Sequence, residues 1–330
     1  MSLWSYLLYR VLLLIPTLVL VIGIVFLIVH LAPGSPVTYI FGQAANITPA
    51  DRAILAHQLG LDRPLYVQFL IFLRNELTGN FGYSYIQGAS VFSLLAETIP
   101  NTLLLMGITM ILSIVFGVLI GVYSSIRSET RFASSIVAIS QTAYSLPIQW
   151  LGLLGIIIFG VYLHWFPTIG MTNGFTETGL PYVYDLVDHL VLPVSLLVIW
   201  YMAQYILYTR ASMMNALTQD YIVAAKAKGL SSRRIYLTHA LRNALLPIVS
   251  LAGLQIGLLL TGAVVIETLF GWPGVGRLLY ISMTSRDYPV VLGTFYVIAI
   301  FVLVGNLISD LTYALIDPRV RYQGDTRGLG

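Results

Sequence analysis

Long uncharged apolar runs, separated by polar segments of uneven length, dominate this chain. A helix that crosses the hydrocarbon core of a bilayer needs about 20 apolar residues at ~1.5 Å of rise each. Six stretches qualify: Val11–Leu31, Leu103–Ile126, Ala133–Leu163, Leu190–Tyr208, Leu245–Ile266 and Val290–Ile308, the last extending toward Ile316. The third is too long for one straight span. Pro147, within Ser145-Leu146-Pro147, is expected to kink it or end a turn there. A seventh span would need a tight reversal at that proline, so six is the preferred count. The first run is longer than a signal-peptide core and no small-residue cleavage site follows it, so it reads as an uncleaved span.

Composition agrees. The chain is 58% hydrophobic and 9% charged, against about 25% charged residues in a soluble domain. A soluble core cannot hold that excess, whereas lipid can solvate it. The expected fold class is all-α, a polytopic membrane protein. With no cysteine, disulfides and thiolate metal sites are excluded.

Charge placement gives the orientation. With the N-terminus inside, only Arg52, Arg63, Arg74, Arg277 and Arg286 of the 17 Lys and Arg fall outside. The bias of Lys and Arg to cytoplasmic segments then places both termini in the cytosol. Asp51, Asp62, Glu76, Glu97, Glu177, Asp185, Asp188, Glu267 and Asp287 lie on the opposite side.

The organisation expected is a first span within 1–31, an external helical loop at 32–100, a core at 101–318 and a cytosolic tail at 319–330. In the external loop, Thr48-Pro49 reads as a helix start and Gly60 as its stop. Asn46-Ile47-Thr48 matches a glycosylation sequon, though Pro49 follows. Leu65, Phe69, Leu70, Leu73 and Leu77 recur at helical spacing, and Gly79 marks the end of that helix. Such a cap serves packing, docking of an external partner, or both.

One internal segment breaks the apolar pattern. Between Arg210 and Arg242 lie six basic residues and Asp220. Each Lys or Arg at a span centre costs about 2.5–3.5 kcal/mol, so this segment does not cross. Ala224, Ala225, Lys226, Ala227 and Lys228 nonetheless favour a helix. Gly229 supplies a left-handed stop, and Ser231 or Ser232 can start a second helix toward Leu246, with Pro247 near the start of the fifth span. Three readings fit: a solvated positive anchor, a binder of anionic lipid, or a docking helix whose small face, Ala224, Ala225 and Gly229, enters a partner's groove.

The spacing Ala224-Ala225-x3-Gly229 resembles the "EAA" loop of ABC importer permeases. Asp220-Tyr221, Ala225-Lys226-Ala227-Lys228-Gly229-Leu230-Ser231 and His239-Ala240-Leu241-Arg242-Asn243-Ala244 are similar to the oligopeptide, dipeptide and nickel branch. Val223 stands where the general pattern has Glu, His239 where it has Ile and Arg242 where it has Pro, departures typical of that branch. Leu31-Ala32-Pro33-Gly34-Ser35-Pro36, Leu59-Gly60-Leu61-Asp62-x-Pro64 and Gly79-Asn80-Phe81-Gly82 resemble the outer loop of its B-type subunit. Glu267-Thr268-Leu269-Phe270-x-x-Pro273-Gly274-x-Gly276-Arg277-Leu278, Arg286-Asp287-Tyr288-Pro289-Val290 and Asp317-Pro318-Arg319 continue the likeness along nearly the whole chain.

The resemblance implies a type I ABC importer permease fold and a transmembrane subunit paired with a homologous C-type permease. It also implies two cytosolic ATPases, which hold the ATP and Mg, and an external substrate-binding protein. Ala224, Ala225, Gly229, Leu230, His239 and Arg242 would then carry the contact to the ATPases. Peptide is the implied cargo, with nickel and oligosaccharide as alternatives. Independently, Lys226 and Lys228 are the only lysines and neither sits in Gly-x4-Gly-Lys-[Ser/Thr], so the chain has no phosphate-cradling loop of its own.

Ser145, Pro147, Gln149 and Trp150 mark a broken third span and are candidates for the translocation path, because irregular backbone at membrane depth is tolerated where it lines a cavity. An ordinary proline kink explains them equally. Glu267 is a candidate gate or loop anchor, and Asp310, about 10 Å inward from Asp317, is either functional or structural. The histidines are scattered without His-Glu-x-x-His, which argues against a zinc protease, and no nucleophile constellation supports a hydrolase. No nucleic-acid partner is expected. An ion-coupled secondary transporter is the rival class; it predicts an internal repeat, which the sequence does not display, and independence from ATP.

Overall fold

A computed structural model describes residues 3–31, 57, 62–174 and 178–316. Helix α1 (Leu3–Leu31) is followed by α2 (Leu65–Leu77), then a two-stranded antiparallel hairpin, β1 (Tyr83–Ser84) with β2 (Ala89–Ser90), then α3 (Val91–Ile126). A bent pair follows, α4 (Arg131–Ser145) and α5 (Ile148–Tyr162), whose last turns, Ile156–Tyr162, are π-wound. The rest is α6 (Gly179–Leu217), α7 (Asp220–Ala227), α8 (Ser232–Gly257), α9 (Leu259–Gly262), α10 (Val264–Leu269), α11 (Val275–Ser285) and α12 (Tyr288–Ile316).

Among the described residues four helices, α3, α6, α8 and α12, are long and apolar enough to cross a membrane, and α1 adds the apolar stretch Val11–Leu27. Where the observed helices exceed the predicted spans, polar turns hid the excess. Ser90 caps α3 by accepting a hydrogen bond from the Ser93 backbone N–H at 3.1 Å. Ser93, Glu97, Thr98, Asn101 and Thr102 then fill turns that precede the apolar run. Helix α6 has 39 residues, hence a length of ~58 Å, about twice the hydrocarbon core.

Ala133–Leu163 breaks at Pro147, where an interruption was expected, and α4 and α5 are bent by 97° across it. One expectation needs correction: the fifth span does not run from Leu245 to Ile266. One helix starts at Ser232 and passes through Pro247, and the chain breaks at Leu258 and Ala263. The second helix expected in the basic loop and the apolar helix after it are therefore one element. Ser231 does occupy its N-cap position, but its hydroxyl makes no cap bond.

Small residues set the close crossings. Gly117 and Gly121 of α3 face Tyr205 and Thr209 of α6, and a methyl at Gly121 would lie 2.6 Å from the Thr209 Cβ. Gly253 and Gly257 of α8 pack on Ser309 and Gly305 of α12. Lipid tails are as apolar as leucine, so backbone proximity rather than hydrophobic burial holds such pairs together.

Helix α2 forms over the predicted residues, and Gly79 follows it at φ 74°. It docks through Phe69 and Phe72, whose rings lie 5.4 and 5.7 Å from that of Phe26 on α1. The Thr48-Pro49 helix start, Gly60, the sequon, the first motif beyond Leu31, the 317–319 motif and the 319–330 tail lie outside the described residues. Glu76 of α2 is buried, and its Oε2 has no hydrogen-bond partner among the described residues. Burial pushes its carboxyl up to about 7 from 4.5. The titratable group beside it is Tyr296 of α12. Below pH 4.5 the carboxyl is protonated whether α2 is docked or free. Between 4.5 and 7 the free helix ionises first, so docking weakens as pH rises, and the loss is complete above 7. Amide-exchange protection of α2, corrected for intrinsic rates, should fall between about pH 5 and 8, and Glu76→Gln should flatten that profile.

Candidate functional site

The basic island folds as expected of its alanines. Helix α7 ends where the Lys228 N–H donates to the Ala224 carbonyl at 3.1 Å and the Gly229 N–H to that of Lys226 at 2.9 Å. Gly229 then turns at φ 73°, and the Leu230 N–H reaches back to the Ala225 carbonyl at 3.3 Å. This left-handed stop folds Leu230 under the helix, half-buried.

The predicted docking face is divided. Ile222 and Ala225 are buried in a cluster with Val122 of α3, Met213 and Ala216 of α6, and Ile235, Ala240 and Ala244 of α8. Residues three apart on a helix share one face, so Ala225 continues the inner stripe that Ile222 begins and seats α7 on its own chain. Tyr221, Val223, Ala224, Ala227 and Gly229 face outward. His239 is half-buried on the π-wound segment Ile235–Ala240 at the start of α8, and Arg242 is exposed one turn later. Lys226, Lys228, Arg233 and Arg234 are exposed, and none makes an ion pair among the described residues. The outcome is a short helix with a small, partly apolar outer face, ringed by cations and braced from behind.

Nothing lies within 4 Å of a Cβ placed at Gly229, so the left-handed backbone rather than space requires glycine there. Gly229→Val should fray the end of α7, since a β-branched residue resists positive φ, at a cost of about 1–2 kcal/mol. Gly229→Asn should retain most of the helix end. Amide exchange at Leu230 checks both.

At the other site, α4 and α5 are each about 22 Å long, too short to cross ~30 Å of hydrocarbon alone. The Trp200 Nε1–H of α6 donates to the Leu146 carbonyl at 3.1 Å, satisfying an acceptor freed by the break. The Trp200 ring lies 5.5 Å from that of Tyr144. Ser145 is exposed and donates to the Gln141 carbonyl at 2.7 Å. Pro147 begins α5, and Pro147 and Gln149 are exposed.

Glu267 is not with them. It is fully buried at the α10–α11 corner. Its Oε1 accepts from the Thr102 hydroxyl at 2.6 Å, and its Oε2 from the Arg277 backbone N–H at 3.1 Å. The Gly276 N–H also bonds the carboxylate. Gly274, at the N-cap of α11, offers no side chain, so Glu267 caps that helix from the preceding one. Methyl groups at Gly274 or Gly276 would collide with this carboxylate. Thr102 also accepts from the Val275 N–H at 2.8 Å, the Asn101 side chain donates to the Pro273 carbonyl at 2.9 Å, and the buried Trp272 donates to the Asn101 carbonyl at 3.0 Å. This geometry is that of a loop anchor joining α3 to α10 and α11. Asp310 is also engaged in interactions on α12.

The family of "Binding-protein-dependent transport system inner membrane component" proteins matches residues 113–322, and its N-terminal counterpart matches residues 3–106. The chain belongs to this permease family. The oligopeptide transport system permease protein AppB of Bacillus subtilis (strain 168) is 39% identical over 96% of this chain and 99% of its own length. The di/tripeptide transport system permease protein DppB of Pseudomonas aeruginosa (strain UCBPP-PA14) is 37% identical over 97% and 99%. The glutathione transport system permease protein GsiC of Escherichia coli O1:K1 / APEC is 36% identical over 97% and 99%. The permease is accordingly a multi-helix inner-membrane protein of a family of membrane components rather than of ATPases.

Sequence reasoning missed the inward role of Ala225, the exposed Val223 (62%) and the partners of Glu267. Asn101 and Thr102 gave no signal, because they fall in the polar start of α3. Gly274 and Gly276 stood within the quoted motif, but the carboxylate they accommodate lies a helix away.

Proposed function

We propose that this permease is the membrane-spanning subunit of an ATP-driven importer of short peptides. It shares the translocation path with a homologous C-type permease, receives cargo from an external binding protein, and is driven by two cytosolic ATPases that hold the ATP and Mg. The observation that carries the reading is α7, a helix whose outer face is small and accessible while Ile222 and Ala225 fix it rigidly to three long helices. A push on such a helix moves the bundle rather than the loop. The names of the full-length relatives, oligopeptide, di/tripeptide and glutathione permeases, support peptides as the cargo. Within this reading Val223, Ala224 and Gly229 meet the ATPase, Leu230 and Ala225 brace the helix, and His239 and Arg242 flank it. Ser145, Pro147 and Gln149 border the path. Glu267 holds the outer corner in register with α3.

Purification of the tagged permease from its native membrane in mild detergent tests this. A second permease and two ATPases should accompany it, with ATPase activity raised by a peptide-loaded binding protein. Recovery of the chain alone from intact membranes would overturn the reading.

A further inference from the structure

Two glutamines lie where the span pattern has no charge. Helix α6 carries no Asp, Glu, Lys or Arg between Asp188 and Arg210, and α8 carries none after Arg242. Gln204 of α6 and Gln255 of α8 meet there: the Gln255 Nε2 donates to the Gln204 Oε1 at 2.7 Å. The fully buried Tyr205 hydroxyl donates to the Gln255 Oε1 at 2.5 Å. Tyr205 thereby fixes Gln255, which in turn fixes Gln204. The Gln204 amide nitrogen makes no hydrogen bond among the described residues, and the side chain is partly exposed. An amide with unused donors is costly against lipid, and polar groups at this depth normally face the bundle interior or a water-filled cavity. Gln204 shares one face of α6 with Trp200 and Tyr208 at four-residue spacing, and Trp200 bonds the carbonyl at the broken α4–α5 corner. The broken backbone and the unsatisfied amide therefore border the same face.

We propose that Gln204, held by Gln255 and Tyr205, is a hydrogen-bonding point on the translocation path that contacts backbone amide groups of the passing peptide. This rests on the peptide-importer reading. A neutral amide suits such cargo, since it pairs with the backbone that all peptides share and selects against no side-chain charge. Gln204 presents donors to the cargo carbonyls, while the aromatic rings of Trp200 and Tyr208 shield the strip above and below.

The chain has no cysteine, so an introduced cysteine is unique within this subunit, and labelling is read on this subunit after its separation from its partners. The experiment uses the assembled transporter in membrane vesicles and a charged methanethiosulfonate as probe. Gln204→Cys should react about tenfold or more faster than Leu119→Cys, which sits on the exposed apolar side of α3, and a saturating transported dipeptide should slow it. Gln204→Leu, similar in size but unable to hydrogen-bond, should lower dipeptide uptake about tenfold in assembled complexes. Equal labelling at 204 and 119, or wild-type uptake by Gln204→Leu, overturns the proposal. The readouts separate the two claims: uptake without labelling at 204 refutes the Gln204 contact alone, whereas labelling without any peptide uptake by the wild-type transporter refutes the peptide reading and the contact that rests on it.

Discussion

Ala224→Arg should leave the permease folded in the membrane while stripping the ATPases from it, reducing transport about tenfold or more. Ala224 is exposed, so a long charged side chain displaces nothing within this chain. At a close helix-to-groove contact, however, the small side chain is what permits approach, and a tenfold loss corresponds to ~1.4 kcal/mol of lost association. The neighbouring Ala225→Arg should behave differently. Ala225 is buried against Ile235, Ala240 and Ala244, so a buried, unpaired guanidinium should unseat α7 and lower the amount of folded permease. Co-purified ATPase per mole of permease, measured with the thermal midpoint, separates the two. Equal behaviour of the two variants would contradict the division of α7 into an inner and an outer face.

Glu267→Ala should be the most destabilising single change at the α10–α11 corner. It leaves the Thr102 hydroxyl and the Gly276 and Arg277 backbone N–H groups without their acceptor. Buried donors left unsatisfied cost about 1–3 kcal/mol each, so a loss of about 3 kcal/mol or more is expected. Glu267→Gln should cost less, because one carbonyl oxygen remains, although its amide then opposes the N–H groups of α11. Gly274→Ala should mimic Glu267→Ala in direction, since its methyl displaces the same carboxylate. Thermal unfolding of the detergent-solubilised complex reads all three; Glu267→Ala matching wild type would remove the capping role.

Legibility in the sequence followed the physics of each feature. Helices surrounded by lipid announced themselves, because nothing but apolar side chains is tolerated on their outer faces. Polar extensions such as Val91–Asn101 did not, because hydropathy fades where a helix leaves the bilayer. The 97° bend lay beyond what Pro147 alone implies: proline removes one hydrogen bond and predicts a kink, whereas the partner of the carbonyl at the corner, Trp200, comes from a helix more than 50 residues away. In α7 the alanine run gave the helix, and Gly229 gave its end. Which alanine faces inward depended on Met213 and Ile235, contributed by helices on either side. Glu267 was visible as a lone acid at a span end, but its role as a cap appeared only once Thr102 had been brought 2.6 Å from it.

The most direct test of the account is uptake of a labelled dipeptide into proteoliposomes containing the purified permease, its co-purified partners and the external binding protein. Accumulation that requires ATP, persists when ion gradients are collapsed, and disappears in Ala224→Arg is the result expected. Uptake that continues without ATP, follows an imposed ion gradient and is untouched by Ala224→Arg would contradict it.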